Sequence, residues 1–546
     1  MRIALDIETN RKHDTIWCCS TYNLDTKEVM VWTEAEGLKN YISKATLIVG
    51  HNGIAFDFPV LNRVWKTTIR MSQVQDTLVM SRLSNPSREK GHSLGNLAVL
   101  VGRTKKEFDD FDGGLTAEMV EYCKEDVVIC GELYLYLLRE LQGFSEQSIK
   151  LEHDVQAIIA RQERHGFMLD KGLACTLIAD WKKRLSDIEE GLQTVFPPIV
   201  THRVSEKTGK PLKDAVEVFN PGSRQQIAKR LMEKGWKPTK HTEKGQVIVD
   251  ESVLAGVDIP EARLIAEYLL VQKRVAQAES WLEAVSEDGR VHGKVITNGA
   301  VTGRMTHHSP NMAQVPSSGS PFGHECRSCW TVPEGKALVG ADASSLELRM
   351  LAHYMKDQDY VKEVVEGDVH TKNQNAAGLQ TRAQAKTFIY ALLYGAGPAK
   401  IGTIVGGSAK EGKILIDSFL RNTPALKKLR EKVERLAESG ELPGLDGRKL
   451  QVRSAHSALN TLLQSAGAIV MKQALVLLDG KIRRAKINAQ FVANVHDEWQ
   501  IEVDERYADD VGKLAVESIK EAGQVLKLRC PLDGEYKKGK TWAQTH

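Results

Sequence analysis

Little cysteine, little net charge, no uninterrupted apolar run of membrane length and no internal repeat characterise this 546-residue chain. Its eight cysteines are scattered, and only adjacent Cys18 and Cys19 and the pair Cys326 and Cys329 lie close together. A structural zinc site takes four ligands, so a lone CxxC does not make one, and so few thiols exclude a disulfide-built scaffold. They are expected to be the reduced thiols of a cytoplasmic protein. The 74 basic residues nearly balance 71 acidic ones, so composition alone does not announce a nucleic-acid binder. Any basic surface is therefore local, offset by acidic patches or by carboxylates that hold metals. The opening MRIALDIETN enters a strand pattern without a charged leader and apolar core, which argues against a secretory signal. The longest apolar stretch, Leu459 to Leu478, contains Asn460, Gln464 and Lys472 and is expected to be a buried helix rather than a membrane span.

Length alone requires several cores, roughly two to four at the usual domain size. Residues 1 to about 145 alternate short apolar strands with helical stretches, an α/β pattern. From about 148 the pattern turns helical as far as Pro197 and Pro198, which sets a domain boundary near 145. The stretch THRVSEKTGKPLKDA lacks an apolar period and is expected to be a loop or small exposed insertion. Residues 290 to 350 mix strands and loops, 355 to 440 are mainly helical, and a strand pair returns around His496.

Chemistry concentrates first on two lone aspartates, Asp342 in VGADASSLELR and Asp497 in VANVHDEWQIEV, each ending an apolar strand-like run. A rigid strand end exposes its side chain at the turn, so two such carboxylates are able to share divalent metals, with the backbone carbonyl of Ala343 as a further ligand. Between them, Arg382, Lys386, Tyr390 and Tyr394 recur every fourth residue. Each such step advances about 40° around a helix, so two cations and two rings share one stripe. Metal carboxylates facing a cationic, aromatic helix are what nucleotidyl transfer needs, with the cations holding a triphosphate. Glu498 beside Asp497 is a weaker ligand candidate, since acidic residues after a turn are usually solvated.

A second set lies at the N-terminus. Asp6 and Glu8 are two apart on a strand, so both side chains leave the same face. Two carboxylates pointing together repel unless a cation sits between them. Asp57 follows an apolar run in HNGIAFDFPVL, and Tyr122 and Asp126 stand four apart on one helix face. DIE, NGxxFD and YxxxD in this order resemble the three motifs of DEDD-type 3′→5′ exonucleases of the YxxxD subclass. The resemblance implies that Asp6, Glu8, Asp57 and Asp126 hold two Mg²⁺ ions while Tyr122 orients the attacking water.

The remaining four hundred residues resemble the family A DNA polymerases, and within them the replicative enzymes of short-tailed bacteriophages. DASSLELR resembles motif A, RxxxKxxxYxxxYG motif B and VHDE motif C. The implied architecture is a ribonuclease-H-like exonuclease domain over 1–145, followed by a right-hand polymerase over 146–546, a multidomain α/β and α+β fold. The thumb would span about 150–295, the palm about 296–355 and 450–546, and the fingers about 356–449. Asp342 and Asp497 would bind two Mg²⁺, for which Mn²⁺ would substitute, and Lys386 would also protonate the leaving pyrophosphate. His370 and Arg382 would contact phosphates, Tyr390 with Glu347 would exclude a ribose 2′ hydroxyl, and Tyr394 would stack by the template base. Arg304 and Gln464 would check minor-groove acceptors common to all correct pairs, with His496 also at the DNA. Lys229, Arg230, Lys234 and Lys237 would hold phosphates on the thumb, unless they form a solvated basic face. Partners implied are primer-template DNA and deoxynucleoside triphosphates, with a replicative helicase or single-strand-binding protein compatible, no membrane, and the host cytoplasm as location if a phage encodes the chain. The interval Pro197 to Asn220 is short and has little apolar surface, so no thioredoxin complex is expected. Two rival readings are a repair-type enzyme of a bacterium or organelle, and a non-catalytic DNA-binding scaffold, which predicts a missing metal aspartate.

Overall fold

The computed structural model describes all residues, Met1–His546. Near the N-terminus, strand Arg2–Thr9 is buried over most of its length, as a central strand must be. It pairs antiparallel with Ile16–Asn23 and parallel with Leu47–Gly50 in a five-stranded sheet. Helix Ala117–Glu140 packs on this sheet through Cys123, Val127, Cys130, Leu133 and Leu137. Gly131 permits the close approach, because a Cβ there would stand 2.4 Å from the Tyr22 ring. The approach brings Asp126 down onto the strand that carries Asp6 and Glu8.

Helix Glu146–His165 begins where Ser145 caps it, the side chain accepting from Ser148 N at 3.0 Å. The helical run expected from 148 to 195 is broken at Gly166, whose φ of +71° ends the helix. A short strand, Phe167–Leu169, follows and pairs with Arg290–Val291 and Trp330–Thr331. Its neighbours lie far along the chain, so no local pattern announces it. Two 25-residue helices, Lys171–Val195 and Pro260–Ala284, then pack together and carry a small separate core that includes Leu192, Phe196, Phe219 and Leu231.

The stretch expected as a loop or small exposed insertion is exposed, and its backbone pairs as a β-hairpin, Ile199–Val204 with Pro211–Glu217. A bulge between Thr201 and Arg203 shifts the alternation, and neither face is buried, so the strands carry no apolar period. The hairpin also presents more apolar surface than its composition suggests, with Val200, Val204 and Val216 each more than half exposed.

The largest core, 54 buried residues, surrounds a four-stranded antiparallel sheet in the order Ala489–Val495, Glu498–Asp504, Lys336–Ala343, Gly534–Gly539. Helices Ala458–Arg484 and Ala508–Val525 contribute to that core. Ala455–Arg484 is long and apolar enough to pass as a membrane span, yet 72% of its apolar window is buried inside the protein, in keeping with the buried helix expected. Between 358 and 436 six helices follow one another, Arg382–Leu393 among them.

Candidate active sites

At one end of the sheet's strands, Asp342 is the last residue but one of the inner strand Lys336–Ala343. Asp497 occupies the tight turn that joins the strands ending at Val495 and starting at Glu498. His496 takes a left-handed φ of 56° to make that turn. Ala343 N donates to Asp497 O at 3.2 Å, which ties the two strand ends together. Cross-strand register places Asp342 opposite both Glu498 and Glu535. Burial first and the Glu535 charge second push the Asp342 carboxyl up to about 6, with Asp497 and Glu498 adding to the effect. Converging carboxylates raised in this way call for a cation. Glu535 was not found from sequence, because only sheet register brings that segment to Asp342.

Glu498 is buried and already engaged. It accepts from Trp542 Nε1 and from Gln500 Nε2 at 2.6 Å, while Arg327 lies at 3.7 Å and His546 at 3.3 Å. Those partners make it a support of the site rather than a free ligand. Asp497 also lines a cavity of about 310 Å³ with Arg304, Glu347, Tyr394, His496 and Lys472.

On helix Arg382–Leu393 the four-residue stripe forms, with Tyr394 as its C-cap. Arg382 and Lys386 are exposed and Tyr390 is half-buried. Arg382 Nε pairs with Asp368 at 2.7 Å, an exposed ion pair that the sequence reading did not anticipate. His370 faces Tyr390 at 6.2 Å between centroids, and its Nδ1 is buried without a partner. Burial, then Arg382 and Lys386, hold the His370 imidazole below its ordinary value, so a cationic corner surrounds it. Glu347 accepts from the Tyr394 hydroxyl, not from Tyr390, and stands 3.8 Å from Arg304. Tyr390 is still near enough for Glu347 and Asp497 to raise its phenol, after burial. Gln464 donates to Asn460 Oδ1 at 2.7 Å on the helix bordering this cavity.

The N-terminal set converges as well. Asp6 and Glu8 lie with the Cys123 thiol so that their ligand atoms fall within 4.8 Å of one another. Asp57 opens helix Asp57–Val64 and accepts from Ile7 N at 3.1 Å. Asp126 comes down from helix Ala117–Glu140, one turn beyond Tyr122. Burial, reinforced by neighbouring carboxylates, pushes Glu8 up to about 8 and Asp6 well above its ordinary range. Asp57 reaches about 7, chiefly through burial. One Asp126 oxygen is buried without a partner, and the other takes the Lys105 ammonium. Neither Lys105 nor Cys123 was singled out from sequence, since a lysine in a charged loop and a cysteine on a helix carry no pattern.

One sequence expectation needs correction elsewhere. Arg230 is not part of a basic face: it is buried on the inner side of helix Arg224–Glu233 and donates to Pro197 O at 2.7 Å. Lys229 and Lys234 pair with Glu217 and Glu261, which reduces the net charge offered there. Cys326 and Cys329 lie inside an apolar cluster, where burial pushes both thiols up to about 12.

A family description, DNA polymerase family A, matches residues 200–544, and a second, 3′-5′ exonuclease, matches residues 3–142. The DNA-directed DNA polymerase of Escherichia phage T7 is 35% identical to this chain over the full length of both. The chain belongs to DNA polymerase family A. The polymerase is 35% identical to that of Enterobacteria phage T3 over 94% of each chain, and 27% identical to DNA polymerase I of Aquifex aeolicus over 96% of this chain and 92% of that one. Its fold matches the POL domain of Pol1 from M. smegmatis in complex with DNA primer-template and dNTP, with a TM-score of 0.84 at 20% identity, over 100% of this chain and 96% of that one. It is thus a DNA-directed DNA polymerase carrying a 3′-5′ exonuclease domain, and domains of both kinds are generally metal-dependent.

Proposed function

We propose that this polymerase copies primer-template DNA from deoxynucleoside triphosphates in phage genome replication, within the host cytoplasm, and proofreads at its N-terminal site. Asp342 and Asp497, with the Ala343 carbonyl, would hold two Mg²⁺ ions, and Asp6, Glu8, Asp57 and Asp126 another two. Both donor sets are carboxylate-rich, which suits a hard cation that keeps exchangeable waters. The orphaned Asp126 oxygen and the raised Asp342 carboxyl support cation sites at both places. When bound, the metals supply Lewis-acid activation of the attacking and leaving oxygens.

The protein's own groups do the positioning. Lys386, exposed and free of ion pairs, would meet the triphosphate and hand a proton to the pyrophosphate, with Arg382 joining it once Asp368 releases the guanidinium. His370 would offer a phosphate its unpartnered nitrogen. Tyr390 would lie against the incoming sugar, while Arg304 and Gln464 would probe the minor groove and Tyr394 and His496 would line the DNA path. At the N-terminal site Tyr122 would orient the attacking water. Palm, thumb and fingers would follow the ranges 296–355 with 450–546, 150–295 and 356–449.

The observation that carries this reading is the joining of Asp342 and Asp497 at one end of the sheet's strands through the Ala343 to Asp497 hydrogen bond. A labelled primer annealed to a longer template tests it in one tube. With Mg²⁺ and the four deoxynucleotides the primer should lengthen, and with Mg²⁺ alone it should shorten from its 3′ end; failure of both would reject the reading.

A further inference from the structure

The loop between the turn Val99–Val101 and helix Ala117–Glu140 carries two adjacent lysines that behave oppositely. Lys106 points outward to Glu125 at 2.5 Å. Lys105 turns inward: its ammonium pairs with Asp126 and lies over the Tyr122 ring, 4.1 Å from the centroid. Its side chain is 23% exposed and that of Asp126 only 6%, so water does little to screen the pair. It is the one side-chain ammonium or guanidinium paired with any of Asp6, Glu8, Asp57 and Asp126.

The same loop is fastened over the site by aromatic contacts. Phe108 and Phe111 pack on Tyr122 with centroids 5.4 and 6.4 Å away, and Trp17 Nε1 donates to Phe111 O at 2.8 Å. An ammonium held at Asp126 competes with any divalent cation that uses the same carboxylate, because like charges cannot share one oxygen at close range. Two divalent ions also bring four positive charges to four carboxylates, which leaves no negative charge there for a lysine.

We propose that Lys105 is a tethered counter-ion of the editing site. In the metal-free protein it neutralises Asp126 and, through Tyr122, keeps the loop 103–112 closed over the carboxylates. Metal binding displaces it and frees the loop, so the metal affinity of this site is set by competition with an internal cation. The inference rests on the ligand set proposed above.

Mn²⁺ binding to the full-length chain, followed by the electron paramagnetic resonance signal of the free ion, tests this without any turnover. Sites present in the native protein and absent from the D6A/E8A chain belong to the N-terminal set. At those sites Lys105→Gln should tighten binding by roughly tenfold, as expected for removing one partly screened unit charge, whereas Lys105→Arg should stay within about twofold. In parallel, hydrogen exchange of residues 103–112 should speed up when Mn²⁺ saturates the native protein. Unchanged or weaker Mn²⁺ binding in K105Q, or a loop whose exchange ignores the metal, would overturn the proposal. Equal Mn²⁺ binding by the native and D6A/E8A chains would instead reject the ligand set itself.

Discussion

Tyr390 combines a ring half-buried against the helix with a hydroxyl raised by burial, Glu347 and Asp497. In the role proposed for Tyr390, that hydroxyl would stand in for a missing sugar 3′ hydroxyl, so the native protein should discriminate weakly against dideoxynucleotides. Tyr390→Phe should discriminate strongly, by roughly a hundredfold or more, the order expected when a site loses a hydrogen bond on which recognition depends. Competitive incorporation of a dideoxynucleotide against its deoxy counterpart measures both, and equal ratios would remove Tyr390 from this role. Glu502 acts on stability instead. Burial opposes its charge, but His165 at 3.2 Å and Arg290 at 2.8 and 3.0 Å overcome that and hold its carboxyl below the ordinary 4.5. A lowered carboxyl stabilises the fold above its ordinary value and loses that contribution as pH falls through the lowered one. Glu502→Gln should therefore cost about 3 kcal/mol near neutral pH, the usual cost of stranding a buried partner charge. The gap between native and variant urea midpoints should close as the pH drops below about 4.

Helix Glu146–His165 connects the two halves of the molecule through adjacent residues. Glu152 receives Lys472 Nζ at 2.8 and 2.9 Å and Arg448 at 2.7 Å, and Arg448 also pairs with Asp446 at 2.7 Å, all with side chains at most 2% exposed. Next to it, His153 Nε2 accepts from Asp76 N at 2.9 Å, and the Asp76 side chain in turn accepts from Asn52 N and Ile54 N beside the N-terminal site. A buried network of two cations and two anions is neutral only when complete. Glu152→Gln should destabilise the protein by about 3 to 5 kcal/mol, because Lys472 and Arg448 would keep buried charge without its partner. Thermal unfolding measures this, and a loss under about 1 kcal/mol would mean that the remaining groups compensate.

Across the whole molecule the two carboxylate sets stand on separate sheets with separate cores. Their activities should therefore separate. Asp342→Ala or Asp497→Ala should abolish extension and leave degradation of a primer 3′ end, while D6A/E8A should do the reverse. Loss of both activities in either folded variant would contradict the assignment. The hairpin Ile199–Glu217 bears on processivity. Its exposed valines are more apolar surface than the sequence suggested, yet they stand among exposed His202, Arg203, Lys207, Lys210, Lys213 and Asp214 rather than in an apolar patch of the size an ordinary stable interface needs, roughly 800 Å² per side. Mixing the protein with thioredoxin should give no co-elution and no longer products under a single-encounter trap.

The sequence by itself determined the chemistry carried by short local patterns. Asp6 and Glu8 share a face because side chains alternate on a strand. The stripe from Arg382 to Tyr390 needs only the helical period, and the His496 turn is written in an apolar run broken by two acids. Family resemblance rested on those same segments. Tertiary structure decided everything that depends on partners far along the chain. Glu535 reaches Asp342 only through sheet register, Lys105 reaches Asp126 only because a loop folds back, and Glu347 chose Tyr394 over Tyr390. Arg230 looks like surface charge in sequence and is buried, and the polar stretch after Pro198 is exposed as expected but paired as a hairpin. The physical reason is the same in each case. Period and composition report which face of an element is apolar, whereas the pairing of a charge or the register of a strand depends on which distant segment folding brings beside it.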